Sequence, residues 1–189
     1  MMRLGQTGAK YVLNLIQNVH CAAIILGFMI FRPMSETNQI EDTSKTSAFM
    51  GRPQRLSIVV YSEKIDKVHY AFAMASAAAA INIPSTLLFT MSAIQAIVET
   101  DGQPGWMSMK TTDGRIGASL DKDYRERGIA AFEELIEACS ALGVHIMVCE
   151  MGLRAMGLGR QDLRNDIEIS EGGLVTFFSD AGDSPITFL

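Results

Sequence analysis

Residues 56–90 read LSIVVYSEKIDKVHYAFAMASAAAAINIPSTLLFT. Leu56 to Tyr61 is a short apolar run with β-branched residues, the pattern of a buried strand. Polar residues follow from Ser62, and Asp66 is placed to cap a helix running to about Ile81. The later part of that helix, Met74 to Ala80, is nearly all alanine, and small side chains let a helix lie close on a sheet. Pro84 denies Ile83 a helical conformation, so Ser85 to Thr90 returns as a second strand.

The same alternation continues downstream. Ser92 to about Thr100 reads as a second helix, and Ile129 to Leu142 as a third. In the latter, Ile129, Phe132, Leu135, Ile136, Cys139 and Leu142 form a 3.6-residue stripe, Glu133, Glu134 and Glu137 point outward, and Gly143 caps the end. Cys139 is therefore a core residue. Val144 to Cys149 is the third strand, Met151 to Met156 a short helix, Ile167 to Ile169 a fourth strand, Gly172 to Ala181 a last helix and Ile186 to Leu189 a fifth strand. Strands alternating with helices predict a three-layer α/β/α fold around a five-stranded, mostly parallel sheet. Between the second and third helices, Asp101 to Tyr124 reads as a long irregular stretch. Its Trp106, Met107 and Met109 either cover a neighbouring apolar patch or close over a ligand.

The 189-residue chain is 48% hydrophobic and 20% charged, enough to bury a substantial core. Its charge is divided. Residues 1–54 carry five Lys/Arg and three Asp/Glu, net +2, whereas residues 55–189 carry eleven and eighteen, net −7. An acidic domain repels phosphate backbones, which disfavours a nucleic-acid partner. Residues 55–189 are thus expected to form the α/β domain, preceded by an N-terminal extension. Within the extension the apolar segment 11–31 is interrupted by Asn14, Gln17, Asn18 and His20, so it is a poor membrane span. No small-x-small cleavage site follows Phe31. Three readings stay open for it: a non-native or poorly folded extension (Met34 and Met50 stand as alternative starts), an interfacial or membrane-anchoring helix, or a helix docked on the domain or a partner. Any membrane contact falls to this segment.

Three cysteines, Cys21, Cys139 and Cys149, lie in unrelated contexts with no CxxC spacing. That argues against a disulfide scaffold or zinc ribbon and fits reduced thiols in a cytoplasm. No P-loop appears, and the GLGR at Gly157 to Arg160 lacks a dinucleotide fingerprint. In open α/β sheets, ligands gather at the carboxyl ends of strands, and Cys149 closes strand three. The helix that follows would favour the thiolate, the nucleophilic form. Glu150 opposes this if it points at the sulfur. Gly152 and Gly157 permit close backbone approach, while a buried cysteine is also a common inert core residue. His145 lies four residues back on the same strand, about 13 Å away, too far to share a metal with Cys149. His69 reads as a solvated face residue. The methionines near Cys149 (Met147, Met151, Met156) read as soft apolar fillers. No metal or cofactor is expected.

SIVVYSEKIDKVHYAFAMASAAAA, the block FEELIEACSALGVHIMVCEMGLRAMGL and the closing EGGLVTFFSDAGDSPITFL together resemble the DsrE/DsrF/DsrH-like family, nearest its small stand-alone DsrE-like group. The resemblance spans about Leu56 to Leu189. It implies a five-stranded parallel three-layer domain, frequent homo-oligomers and a cysteine that holds a persulfide and relays sulfur. Cys149 is similar in position to the cysteine that follows the third strand in that group. The group's usual Ser-Met after the cysteine is replaced here by Glu150-Met151-Gly152. Nothing resembles the peroxide-reducing motif of true peroxiredoxins.

Two functions follow as expectations. One is a sulfur carrier or sulfurtransferase working through Cys149, with Ser62, Asp66, Met91, Glu150, Met151 and Gly152 on the pocket rim and sulfur donor and acceptor proteins or small thiols as partners. The other is a non-catalytic binding or regulatory module in which Cys149 is incidental.

Overall fold

The computed structural model describes residues 54–189. The apolar segment 11–31 and Cys21 lie outside the described residues.

Five strands, β1 (Leu56–Val60), β2 (Ser85–Phe89), β3 (His145–Cys149), β4 (Ser170–Gly172) and β5 (Ile186–Phe188), pair in the order β4-β3-β2-β1-β5. Every neighbouring pair is parallel. Among the described residues five α-helices accompany them: α1 (Ile65–Ala80), α2 (Gly117–Glu126), α3 (Phe132–Ala141), α4 (Glu150–Met156) and α5 (Leu174–Ala181). The three-layer α/β/α fold expected from the alternation of strands and helices is the fold observed.

The strand period of two sorts the side chains. Ile58, Val60, Leu87, Phe89, Ile146 and Val148 join one buried cluster with Val68 and Phe72 of α1 and Phe132 and Ile136 of α3. Burying each such side chain stabilises by about 1.5–3 kcal/mol. Val59, Leu88, Met147 and Cys149 point to the opposite face, where Phe177 of α5 completes a smaller cluster. The chain moves steadily across the sheet from β1 to β4 and then returns past β1 to place β5. Right-handed crossovers therefore put α5 on the face opposite α1.

Several boundaries differ from the sequence reading, each for a physical reason. Asp66 is not the cap of α1; the flanking residue is Lys64, and Asp66 sits in the first turn. α1 ends because Asn82 adopts a left-handed backbone, φ 60°, and Asn is one of the few residues that tolerate it. Only Ala71 and Ala75 of its alanines are buried, while Ala77 and Ala80 face solvent. The expected second helix is a 3-10 segment, Met91–Ile97, followed by a two-stranded hairpin of Glu99–Thr100 and Gln103–Pro104. The stretch thought irregular contains α2. Gly117 begins that helix because a Cβ there would lie 2.2 Å from the Trp106 carbonyl oxygen, so the glycine serves close approach rather than a loop. Trp106 is buried within the main cluster, which makes it part of the core and not a cover over a ligand.

α3 starts at Phe132, with Ile129 outside it and 44% exposed. Glu133 does not simply face water. It accepts a hydrogen bond from Trp106 Nε1 at 2.6 Å and pairs with the buried Arg164 at 2.7 Å. The fourth strand falls on Ser170–Gly172 rather than Ile167–Ile169, and Ile169 instead packs into the core. The last helix begins at Leu174, with Gly173 flanking it. His69 is buried, not solvated: its Nε2 lies 2.8 Å from the Ala130 carbonyl oxygen and its ring packs on Tyr124.

Candidate functional site

Cys149 closes β3 and passes directly into α4. On the neighbouring strand it stands in register with Gly172, and α5 begins two residues later. The thiol is thus placed between the starts of two helices, with no side chain on the residue opposite. It is only 2% exposed, packed with Val59, Leu88, Met147 and Phe177. A thiol open to a strand-end crevice is therefore not what is observed: α5 covers it.

The residues expected to rim the site do not all gather around it. Gly152 and Met91 meet closely, since a Cβ on Gly152 would lie 2.8 Å from Met91 N, 2.9 Å from Ile94 Cδ1 and 3.0 Å from Thr90 Oγ1. Met91 itself turns the chain away from β2 with φ 51°, a conformation that costs a non-glycine residue energy. Phe89 is in register with Val148, so this strained turn leaves the sheet one step beyond, beside the end of β3 that carries Cys149. Met151 is exposed, and the Glu150 carboxylate points outward, 3.9 Å from the exposed Arg154 guanidinium. Ser62 Oγ accepts a hydrogen bond from Lys64 N at 3.2 Å. Asp66 Oδ1 accepts from Thr112 N at 2.9 Å. Asp66 faces a shallow cleft of about 360 Å³ that it lines with Thr111, Thr112, Asp113, Arg115 and Tyr124, and Cys149 takes no part in it. Ser62 and Asp66 thus act as local backbone fasteners on the α1 side.

The other described cysteine behaves differently. Cys139 lies under α1, with its Sγ 3.5 Å from the Phe72 carbonyl oxygen, and burial pushes its thiol up to about 12. His145, at the start of β3, pairs with Ser170 Oγ at 2.7 Å. Among the described residues no group of three His, Cys, Asp or Glu comes together that could hold a metal ion. No helix among them is long and apolar enough to cross a membrane.

A polar group beneath the last turn of α5 was not read from the sequence. Asp180 Oδ2 accepts hydrogen bonds from Thr86 Oγ1 at 2.8 Å and Arg55 Nη1 at 3.1 Å. Ser57, in register with Thr86, is fully buried, and its Oγ has no hydrogen-bond partner. The available signal was Ser57 and Thr86, two hydroxyls in otherwise apolar strands.

Fold and site together define a parallel α/β domain that carries a cysteine at the carboxyl end of an interior strand. The family model described as DsrE/DsrF/DrsH-like matches residues 102–189, and over this stretch the chain is similar to that family. A curated relative, the sulfur carrier protein DsrE2 of Allochromatium vinosum, is 24% identical over 154 residues, covering 70% of this chain and 96% of its own length. Among solved structures, the ychN protein from E. coli is similar over 72% of this chain and 99% of its own, with 17% identity and a TM-score of 0.45.

Proposed function

We propose that this protein carries sulfane sulfur on Cys149, as a sulfur carrier or sulfurtransferase. The observation that carries the reading is the place of Cys149 at the carboxyl end of β3, where parallel α/β sheets present reacting groups. The name of the Allochromatium relative, a sulfur carrier protein, supports it. The proposed working unit is residues 55–189. Its partners are sulfur donor and acceptor proteins or small thiols, its assembly a homo-oligomer and its compartment the cytoplasm.

In the proposed step the Cys149 thiolate attacks the outer sulfur of a donor persulfide. The donor leaves as its thiolate, and Cys149 holds the persulfide. An acceptor thiolate then attacks the outer sulfur and regenerates Cys149. The two exchanges balance without any external oxidant. The amides at the starts of α4 and α5 supply positive potential for the anionic sulfur in each state. The 2% exposure of Cys149 favours the second reading, a binding or regulatory module in which the thiol is inert.

Cyanolysis separates the two. After treatment with polysulfide and desalting, cyanide takes the outer sulfur as thiocyanate and returns the thiol. A carrier releases about one thiocyanate per chain, lost in Cys149→Ser. A release that survives Cys149→Ser, or none at all, supports the module.

A further inference from the structure

We infer that α5 is a hinged lid over Cys149, latched at its far end through Asp180. The inference deepens the reading of Cys149 as the working thiol, because a carrier must bring that sulfur to a donor, and the sulfur is covered.

α5 is eight residues long, and its buried residues are Phe177 and Ala181. Phe177 belongs to the cluster that encloses Cys149, while Leu174, Val175 and Phe178 face solvent. Little apolar contact therefore holds the helix down, which is the condition for local opening well below the cost of global unfolding. Both ends carry glycine where packing does not demand it. A Cβ on Gly173 or on Gly182 would meet nothing within 4 Å. Gly173 has an extended backbone that any residue adopts, so neither space nor conformation in the closed state requires glycine there. Gly182 takes φ 55°, a value readily left and re-entered only by glycine.

The latch is polar. Asp180 in the last turn holds Thr86 of β2 and Arg55 just before β1. Beside Thr86, the Ser57 hydroxyl is buried with no partner in the closed arrangement. Lifting α5 lets water satisfy it, which offsets part of the cost of opening. The lid thus pivots at Gly173, one residue beyond the strand partner of Cys149, and is released where Asp180 lets go.

Alkylation of the full chain with iodoacetamide under native conditions, read by peptide mass spectrometry, tests this. Cys139 lies on the other face of the sheet, fully buried, and reports global unfolding in the same sample. The lid predicts that Asp180→Ala raises the Cys149 alkylation rate about fivefold or more for the hydrogen bonds lost, with the Cys139 rate unchanged. Thr86→Val keeps a β-branched residue in β2 and is expected to act in the same direction should the Asp180 variant fold poorly. Unchanged Cys149 rates in the folded variants would overturn the lid, as would rates that rise only in step with Cys139. Iodoacetamide needs no sulfur donor, so a lid that opens as predicted while Cys149 never accepts sulfur refutes sulfur carriage alone.

Discussion

Cys149 and Gly172 face one another in register across β3 and β4. The glycine leaves the space beside the thiol to the flexible end of Met147, whose Cε would sit 2.6 Å from a Cβ at residue 172. The environment of the sulfur is consequently set by backbone, helix starts and soft apolar side chains. Charged groups next to it in sequence do not converge on it, since Glu150 turns toward Arg154 in solvent.

Gly152→Ala is expected to destabilise the domain by about 1–3 kcal/mol through overpacking. The added methyl meets backbone at Met91 N and side chains of Ile94 and Thr90, all within 3.0 Å. Urea unfolding checks this. A midpoint equal to that of the parent would show that α4 does not press on the Thr90–Met91 turn.

Arg164 is buried between Glu133 and Asp166, and those hydrogen bonds raise its basicity further. Glu133→Ala leaves the guanidinium one carboxylate short and Trp106 Nε1 without its acceptor. A loss of about 2 kcal/mol is expected, below the 3–5 of a fully buried pair because Glu133 is partly exposed. Arg164 in turn holds the Asp166 carboxyl below its ordinary range, chiefly by hydrogen bonding. A carboxyl with a depressed folded value contributes stability above its unfolded value of about 3.9 and loses it as pH falls through the folded value. The unfolding midpoint of the parent should therefore fall more steeply below pH 4 than that of Asp166→Asn.

Cys139 gives a prediction at the other end of the pH scale. Its folded value, pushed up to about 12, exceeds the unfolded value of about 8.5. Stability from this group is complete below about 8.5 and declines as pH rises from there toward 12, because only the unfolded chain releases the proton. Between pH 8 and pH 10.5 the parent should lose about 2–3 kcal/mol more than Cys139→Ala. Equal losses would place the thiol in a wetter setting.

The parallel sheet was legible because each interior strand is a short apolar run flanked by turn residues, and buried strands leave that mark in any context. Cys139 as core followed from the period of α3. The misses were made by tertiary contacts. Gly117 looked like a loop residue because the nearby Trp106 carbonyl cannot be seen in one dimension. His69 and Glu133 looked solvated because their partners, Ala130, Trp106 and Arg164, lie 27 to 61 residues away in sequence. At the site, the strand-end place of Cys149 could be read from sequence. Its covering by α5 could not, since the face that a returning helix occupies depends on where β5 pairs.

Exposed aromatic residues on the α5 face offer a check on assembly. Tyr61 and Phe188 stack with ring centroids 5.5 Å apart and remain 47% and 65% exposed. If the proposed homo-oligomer uses this face, Phe188→Asp will reduce the assembled mass in sedimentation while costing the folded chain only about 1–2 kcal/mol, for the lost stacking on Tyr61 and the poorer strand residue. An unchanged sedimentation pattern would exclude that face.

Peptide mass spectrometry after exposure of the full chain to polysulfide tests sulfur carriage most directly. Carriage by Cys149 predicts a gain of about 32 Da, one sulfur, on the peptide containing Cys149, reversed by a reducing thiol and abolished in Cys149→Ser. A gain confined to Cys21 or Cys139, or none on any cysteine while iodoacetamide still reaches Cys149, would contradict it.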